Sequence, residues 1–333
     1  MTVQGHGGRR DLIVGRKTTG QNDMLRLRVP AKLNLALDVL SLREDGYHEI
    51  ETVMQAVSIY DELVLRRRSE RGVTLSSTLP FLPLDTRNLA YRAAVAFFKE
   101  IGLERYGIEI SLKKRIPVGA GMGGGSANAA GVLLGLNRLY GAGLSMQRLS
   151  EIGLTLGADV PFCLLMGGAA LACGIGEKLT PLPSMPHCTL VVAKPRASIS
   201  TPVLYRKYDE CGSKPHPDCR ALAREMGGSL KRVASRCGNA LEPAAALSVP
   251  MIGKMAQELR EKGALCAVMT GSGSAVFGIF SHNSTARAAT AWMRREHPGC
   301  FVSLASPVER ASLNLQEQGR PESGGQADGD RPV

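Results

Sequence analysis

The sequence lacks the features that mark membrane, secreted and zinc-ribbon proteins. No apolar run approaches the roughly 18 residues that a transmembrane helix needs. The eight cysteines include no CxxC spacing, which excludes a zinc ribbon and a thioredoxin-type pair. Several lie inside apolar runs, where a free cysteine behaves as a small hydrophobe, so we expect a reducing, cytoplasmic compartment. Residues 1–23 have no apolar segment of the secretory kind, and we expect no signal peptide.

Aromatic residues are also scarce, at 5% with a single tryptophan, whereas glycine is abundant, with 38 residues. Abundant glycine in an ordinary globular chain indicates loops whose backbone approaches something closely. The net charge of +11 attracts either nucleic acid or anionic small molecules. Basic residues form short clusters at 66–68 and 113–115 without interleaved aromatics. This pattern favours small anions and predicts no nucleic-acid partner.

A length of 333 residues suggests two domains. We predict a flexible extension over residues 1–23 and a disordered tail over 316–333, because both ends are poor in apolar residues. The stretch around Pro181, Pro183 and Pro186 is the best candidate for a linker. The domain boundaries that we predict are 24–183 for the N-terminal domain and 187–315 for the C-terminal domain.

Apolar residues alternate with polar ones along residues 25–39, which predicts β-structure on both sides of Pro30. The second part of this pattern puts Lys32, Asn34 and Asp38 on one face. That face either points into a cleft or is solvated. Further predicted elements are a turn at 41–48, strands at 50–65, 108–112 and 188–193, helices at 88–101, after 125, near 218–236 and at 250–262, and a strand–turn–strand at 264–280.

A glycine-rich loop is the strongest functional signal in the chain. Five of the seven residues from 119 to 125 are glycine, and the loop lies between a predicted strand and a predicted helix. Glycines let successive backbone N–H groups converge on an anion, and the dipole of the following helix points to the same place. A Walker A lysine is missing, and no acidic residue completes a Rossmann unit. The pattern therefore predicts a polyphosphate site of another kind.

Two weaker signals follow this loop. Asp159 lies in the segment GADVPF, between a small-residue turn and an apolar run that we interpret as a strand. Its carboxylate could accept a proton from a hydroxyl nucleophile, although an Asp in this context is also typical of a cap or turn. The segment TGSGS at 270–274 is either a second anion-contacting loop or a plain hairpin turn.

The glycine-rich loop, GADVPF and TGSGS occur in the order of the three motifs of the GHMP kinases, and the chain resembles that family over residues 25–305. Other segments that carry the resemblance are AKLNLALDV, DGYHEIETVM, GIGEKL, ISTPVLY and GNALEP. The resemblance implies an α+β, two-domain fold. Its N-terminal domain is like the second domain of ribosomal protein S5, and its C-terminal domain is ferredoxin-like.

The resemblance also implies an ATP-dependent kinase. Asp159 would be the base that takes the proton of the attacking hydroxyl, and Lys32 would orient Asp159 and that hydroxyl, which argues against an inactive scaffold. ATP would be bound by the glycine-rich loop, namely Pro117, Val118, Gly119, Ala120, Gly121, Met122, Gly123, Gly124, Gly125, Ser126 and Ala127. Mg²⁺ would be carried mainly by the nucleotide, because Ser126-Ala127 stands where many members have two serines and no acidic residue is identified as a ligand.

The segment DGYH together with AKLN resembles those members whose acceptor is a CDP-linked methylerythritol. In them, the counterparts of Tyr47 and Tyr205 sandwich the cytosine ring, and that of His48 hydrogen-bonds its edge. Asn34 and Thr201 complete the acceptor site that the resemblance implies. A family member with another small alcohol as acceptor is the alternative. The sequence leaves open whether the protein is a monomer or a homodimer.

Overall fold

The computed structural model describes residues 23–211 and 215–310, and within them the chain forms two β-sheets covered by helices. The strands are β1 (Met24–Leu42), β2 (His48–Arg67), β3 (Gly72–Ser77), β4 (Gly107–Lys113), β5 (Ala169–Cys173), β6 (Lys178–Leu182), β7 (Thr189–Lys194), β8 (Gly238–Asn239), β9 (Cys266–Met269), β10 (Val276–Phe280) and β11 (Phe301–Ala305). In the first sheet the order is β3-β4-β2-β1-β8, with β5 paired to β2 and β6 to β5. The second sheet has the order β11-β7-β10-β9.

The helices are α1 (Leu89–Glu100), α2 (Gly124–Tyr140), α3 (Met146–Leu156), α4 (Val160–Cys163), α5 (Thr201–Glu210), α6 (Cys219–Glu225), α7 (Leu230–Arg236), α8 (Glu242–Ser248), α9 (Met251–Glu261) and α10 (Asn283–Glu296). Helices α1 to α4 belong to the first sheet, and α9 and α10 pack on the second. Within the described residues, no helix combines the length and the apolar character needed to cross a membrane.

The long hairpin of β1 and β2 forms the centre of the first sheet. The strands are antiparallel, and Leu42 lies opposite His48. The turn predicted at 41–48 is confirmed. Their register shifts at Pro30 and again after Asn34. A proline has no N–H for the ladder and is tolerated at such a bulge, so one strand continues through residue 30. The polar side chains of Lys32, Asn34 and Asp38 are buried, which excludes the solvated face. The shift after Asn34 reverses the alternation, so Asp38 lies on the opposite face from Lys32 and Asn34, and this part of the prediction is wrong.

Helix α2 lies unusually close to this hairpin because its contact face contains glycine. A Cβ added to Gly131 would lie 2.6 Å from Cγ1 of Val29, and one added to Gly135 would lie 2.4 Å from Cδ1 of Leu65. Both distances are below van der Waals contact, so an ordinary side chain at either position would push the helix outward. The close packing fixes the position of α2, the helix that follows the glycine-rich loop, against the hairpin.

The apolar run after Asp159 is a short helix, α4, and our interpretation of it as a strand is wrong. Pro161 stands in the first turn, where its missing N–H would have no partner in the helix anyway. Four apolar residues have no period that separates a buried helical turn from a strand. As a result, Asp159 is the residue at the N-terminal end of a helix.

The predicted division of the chain at residues 183–187 stays a prediction. The second sheet begins at Thr189, while Pro181 still belongs to β6 of the first sheet. Helices α6 and α7, strand β8 and the bridge between Val57 and Pro307 bring later segments back to the first sheet. The predicted tail, and the predicted extension up to residue 22, lie outside the described residues.

Candidate active site

A cavity of about 1040 Å³ is lined by residues from both halves of the chain. Its wall is formed by β1, the glycine-rich loop, the start of α4, helix α5 and the turn between β9 and β10. Of the eleven loop residues predicted to bind ATP, the ten from Pro117 to Ser126 line it, whereas Ala127 is buried in α2 and does not. All seven other predicted site residues line it, namely Lys32, Asn34, Tyr47, His48, Asp159, Thr201 and Tyr205.

The glycine-rich loop uses the left-handed backbone conformation that favours glycine. Gly119, Gly121 and Gly123 have φ angles of 61°, 74° and 68°. The loop ends at Gly123, the N-cap of α2, whose first turn receives no side-chain capping bond. No capping side chain therefore competes for the N–H groups of that turn. They lie at the positive end of the helix dipole, beside the cavity. This is the arrangement that binds phosphate at a helix N-terminus.

The loop is wedged between β1 and the β9–β10 turn. The amide of Lys32 donates to the carbonyl of Met122 at 3.1 Å, and that of Ala275 donates to Ala120 at 3.2 Å. A Cβ on Gly121 would lie 2.1 Å from the carbonyl oxygen of Thr270. Because backbone touches backbone here, only glycine permits the two segments to meet.

Lys32 and Asp159 form an ion pair at the inner wall of the cavity. The Lys32 Nζ lies 3.3 Å from an Asp159 carboxylate oxygen, and the two side chains are 5% and 35% exposed. The same ammonium donates to Asn34 Oδ1 at 2.6 Å. Asn34 in turn donates to Thr52 Oγ1 at 2.8 Å, which fixes the orientation of its amide. The buried lysine thus positions a carboxylate that remains partly open to the cavity and can accept a proton.

The β9–β10 turn is held against the cavity by side chains from other elements. Asn239 Nδ2 donates to the carbonyls of Met269 and Gly271, at 2.7 and 2.9 Å. Thr270 Oγ1 accepts the backbone N–H of Asn34 at 2.8 Å. The turn is therefore both a hairpin connection and part of the cavity wall.

Aromatic side chains gather at the α5 end of the cavity. The rings of His48 and Tyr205 stack, with centroids 4.6 Å apart and an interplanar angle of 29°. His48 Nε2 lies 2.8 Å from a carboxylate oxygen of Asp209. Burial raises the pKa of Tyr205 to about 12, so its hydroxyl stays protonated at neutral pH. Tyr47 is 61% exposed; a sandwich of one ring between the two tyrosines stays a prediction.

Sequence reasoning missed several residues that organise this site. Asn239 lies in the segment GNALEP, but its spacing does not show which backbone it contacts. Asp209 follows Tyr205 by four residues on a helix, so both face one side, and this spacing is a signal that could have been used. Asp61, Lys114 and Asn128, which lie behind the glycine-rich loop, were also missed.

Two models of known protein domains match the chain. Residues 88–167 match the sequence model of the GHMP kinases N-terminal domain, and residues 218–298 match that of the C-terminal domain. The chain is similar to a 4-diphosphocytidyl-2-C-methyl-D-erythritol kinase of Lachnospira eligens, with 42% identity over 82% of this chain and 95% of that protein. The protein of the same name from Alkaliphilus oremlandii is 44% identical, over 85% and 95% of the two chains.

Solved structures of kinases also superimpose on the chain. A 4-(cytidine 5'-diphospho)-2C-methyl-D-erythritol kinase superimposes with a TM-score of 0.70 and 36% identity, covering 85% of this chain and 99% of that one. A homoserine kinase from Cytophaga hutchinsonii also reaches 0.70, at 19% identity, covering 89% and 98% of the two chains. At that identity the second likeness concerns the fold alone.

Replacing Asn239 by alanine should lower the free energy of unfolding by about 1–3 kcal/mol, because two buried carbonyls lose their donor. Urea denaturation of the purified variant measures this. Gln257→Ala, which removes an exposed side-chain contact on α9, is the control and should stay within about 0.5 kcal/mol of the wild type. An Asn239→Ala variant as stable as the control would show that the turn does not depend on this amide.

Proposed function

The chain belongs to the GHMP kinase family, and from this premise we propose that it transfers the γ-phosphoryl group of ATP to the 2-hydroxyl of 4-diphosphocytidyl-2-C-methyl-D-erythritol. This reaction is a step of the non-mevalonate route to isoprenoid precursors. The two-domain α+β fold expected from the sequence is confirmed by the matches of both domain models and by the solved structures. The single observation that carries the proposal is the Lys32–Asp159 pair, open to the same cavity as the glycine-rich loop.

Asp159 is proposed as the base. As the acceptor hydroxyl oxygen bonds to the γ-phosphorus, its proton passes to the Asp159 carboxylate, and the bond to the β-phosphate oxygen breaks to release ADP. The carboxylate is suited to this because it is partly exposed and receives no hydrogen bond as the N-cap of α4. Lys32 holds it by charge and is itself fixed by Asn34. Most of the catalysis is positioning and charge stabilisation, since phosphoryl transfer needs little covalent work from the protein.

The glycine-rich loop and the first turn of α2 are proposed to hold the phosphates of ATP. Three features of the geometry support this. Three glycines of the loop have left-handed backbone conformations, and the start of α2 receives no capping bond from a side chain. The loop backbone is also hydrogen-bonded to β1 on one side and to the β9–β10 turn on the other. Ala127 contributes no surface to the cavity, because it is buried in the helix.

Magnesium is proposed as the companion of the nucleotide. Ser126 is a hard oxygen donor that lines the cavity and fits a cation already held by phosphate oxygens and water. Within the described residues, no three His, Cys, Asp or Glu side chains cluster as a metal site of the protein's own. When bound, the cation would neutralise charge that develops on the transferred phosphoryl group.

The acceptor's nucleotide half is proposed to lie at the α5 end of the cavity. Tyr205 offers a ring face, and His48, which stacks on it, is proposed to hydrogen-bond the edge of the cytosine ring. Tyr47 lies at the exposed rim. The Thr201 hydroxyl lies 2.8 Å from that of Ser272 in the β9–β10 turn. Another small alcohol as acceptor is less well supported, because the relatives that share about 42% identity carry the CDP-linked acceptor in their names.

All eight cysteines are free, which supports a reducing, cytoplasmic location.

Asp159→Asn and Lys32→Ala should each lower kcat by about 10²-fold or more, since the base or its orientation is lost. The KM for ATP should change little, because the loop provides the phosphate contacts. Steady-state kinetics with both substrates varied measure this. The control is Asp218→Asn, in which an asparagine still caps α6 at a residue that does not line the cavity. Near-normal turnover of Asp159→Asn would rule out Asp159 as the base.

Tyr205→Ala should weaken acceptor binding by about 1–3 kcal/mol, the scale of base stacking on an aromatic ring. The loss should be seen as a raised KM for the acceptor, with the KM for ATP unchanged, and as weaker competitive inhibition by CDP. Tyr205→Phe keeps the ring face and is the matched control, which should behave like the wild type. If Tyr205→Ala instead raises the KM for ATP and leaves that of the acceptor unchanged, the cytidine assignment of this end is wrong.

A further inference from the structure

A buried carboxylate lies behind the glycine-rich loop and touches neither the acceptor end nor the Lys32–Asp159 pair. Asp61 of β2 has no exposed side-chain surface, and its ion-pair partner Lys114 is 4% exposed. One carboxylate oxygen accepts the backbone N–H groups of Arg115 and Ile116, at 2.7 and 2.9 Å. The other accepts Asn128 Nδ2 at 2.8 Å and the Lys114 ammonium.

These contacts close into a small network. Lys114 Nζ also donates to Asn128 Oδ1 at 2.8 Å, so each of the three side chains bonds to the other two. Lys114 and Asn128 line the cavity, whereas Asp61 does not. A Cβ on Gly124 would lie 3.4 Å from the Lys114 Nζ. The ammonium is therefore adjacent to the first turn of α2.

The network joins the two ends of the glycine-rich loop. Arg115 and Ile116 are the last residues before the loop, and Asn128 lies in the helix that the loop enters. A loop rich in glycine loses much conformational freedom when it becomes ordered, so its N–H groups converge reliably only if both ends are fixed. One buried carboxylate fixes both ends here.

An ion pair in this position is costly, because removing two charges from water is only partly compensated by their attraction. Replacing a buried ion pair by apolar residues of similar size is often neutral or stabilising. The pair nevertheless lies where its hydrogen bonds converge on a ligand-binding loop, which points to a role in binding.

Building on the proposed function, we propose that Asp61 is a positioning residue for the phosphates of ATP. It acts through Lys114, Asn128 and the backbone before the loop, and it touches no substrate. Its removal should weaken the binding of a nucleoside triphosphate and leave that of the nucleoside alone, because only the phosphates reach the loop.

The chain contains a matched control in the neighbouring residues. Glu62 and Lys113, each next in sequence to one partner of the buried pair, face each other across the same two strands with 3.4 Å between their charged atoms. Their side chains are 35% and 54% exposed. This exposed pair has the same chemistry. Glu62 also contacts the Arg115 guanidinium at 3.0 Å, but the backbone N–H groups before the loop bond to Asp61 and not to Glu62.

The test compares Asp61→Asn with Glu62→Gln by titration calorimetry, with ATP and with adenosine as probes. Asp61→Asn should weaken ATP binding by at least about tenfold, because the N–H groups that hold the phosphates are displaced. Adenosine binding should change by less than about twofold. Glu62→Gln should leave both within about twofold. Equal losses for ATP and adenosine, or no loss of ATP affinity, would overturn the positioning role.

If Asp61→Asn is not recovered folded, Asn128→Ala takes its place, with Asn137→Ala near the end of the same helix as its control. The same pattern of ATP and adenosine affinities is expected, and unchanged ATP binding would overturn the proposal. The variants could lose ATP affinity as expected while the wild type transfers no phosphate to the CDP-linked acceptor. That result would support the positioning role and contradict the proposed function. A wild-type chain that binds no ATP would overturn both.

Discussion

The contact between the glycine-rich loop and the β9–β10 turn determines the geometry of the rest of the cavity. Gly121 approaches the Thr270 carbonyl so closely that no side chain fits between them. The same turn bonds to Asn34 of β1 and is anchored by Asn239. Together these contacts fix the phosphate loop, the strand that carries Lys32, and the second half of the chain relative to one another.

Two buried lysines near this contact each form an ion pair with an aspartate. Lys32 pairs with Asp159, whose carboxylate stays partly exposed to the cavity. Lys114 pairs with Asp61, whose carboxylate is fully buried. The difference in exposure of Asp159 and Asp61 separates their proposed roles, because a base must reach its substrate and a buried carboxylate can only position others. The net charge of +11 is compatible with two anionic substrates.

The sequence predicted local features well and long-range ones poorly. The glycine-rich loop, its flanking strand and helix, and the turn before β2 follow from residues close together in the chain. Their agreement with the structure reflects strong local signals from glycine, alternation and helical spacing. The run after Asp159 was mistaken for a strand because four apolar residues show no period. The Asp61–Lys114 pair depends on the register of β2 against β4, which no local pattern reveals. The stacking of His48 on Tyr205 likewise joins distant segments.

The proposed reaction of this cavity is the transfer of phosphate from ATP to a CDP-linked acceptor. The most direct measurement follows label from γ-labelled ATP into 4-diphosphocytidyl-2-C-methyl-D-erythritol, with mevalonate and homoserine offered separately at the same concentration. We expect a product that carries the label on the 2-hydroxyl of the first acceptor, and no label on mevalonate or homoserine. Efficient labelling of mevalonate or homoserine, with the CDP-linked compound left unphosphorylated, would contradict it.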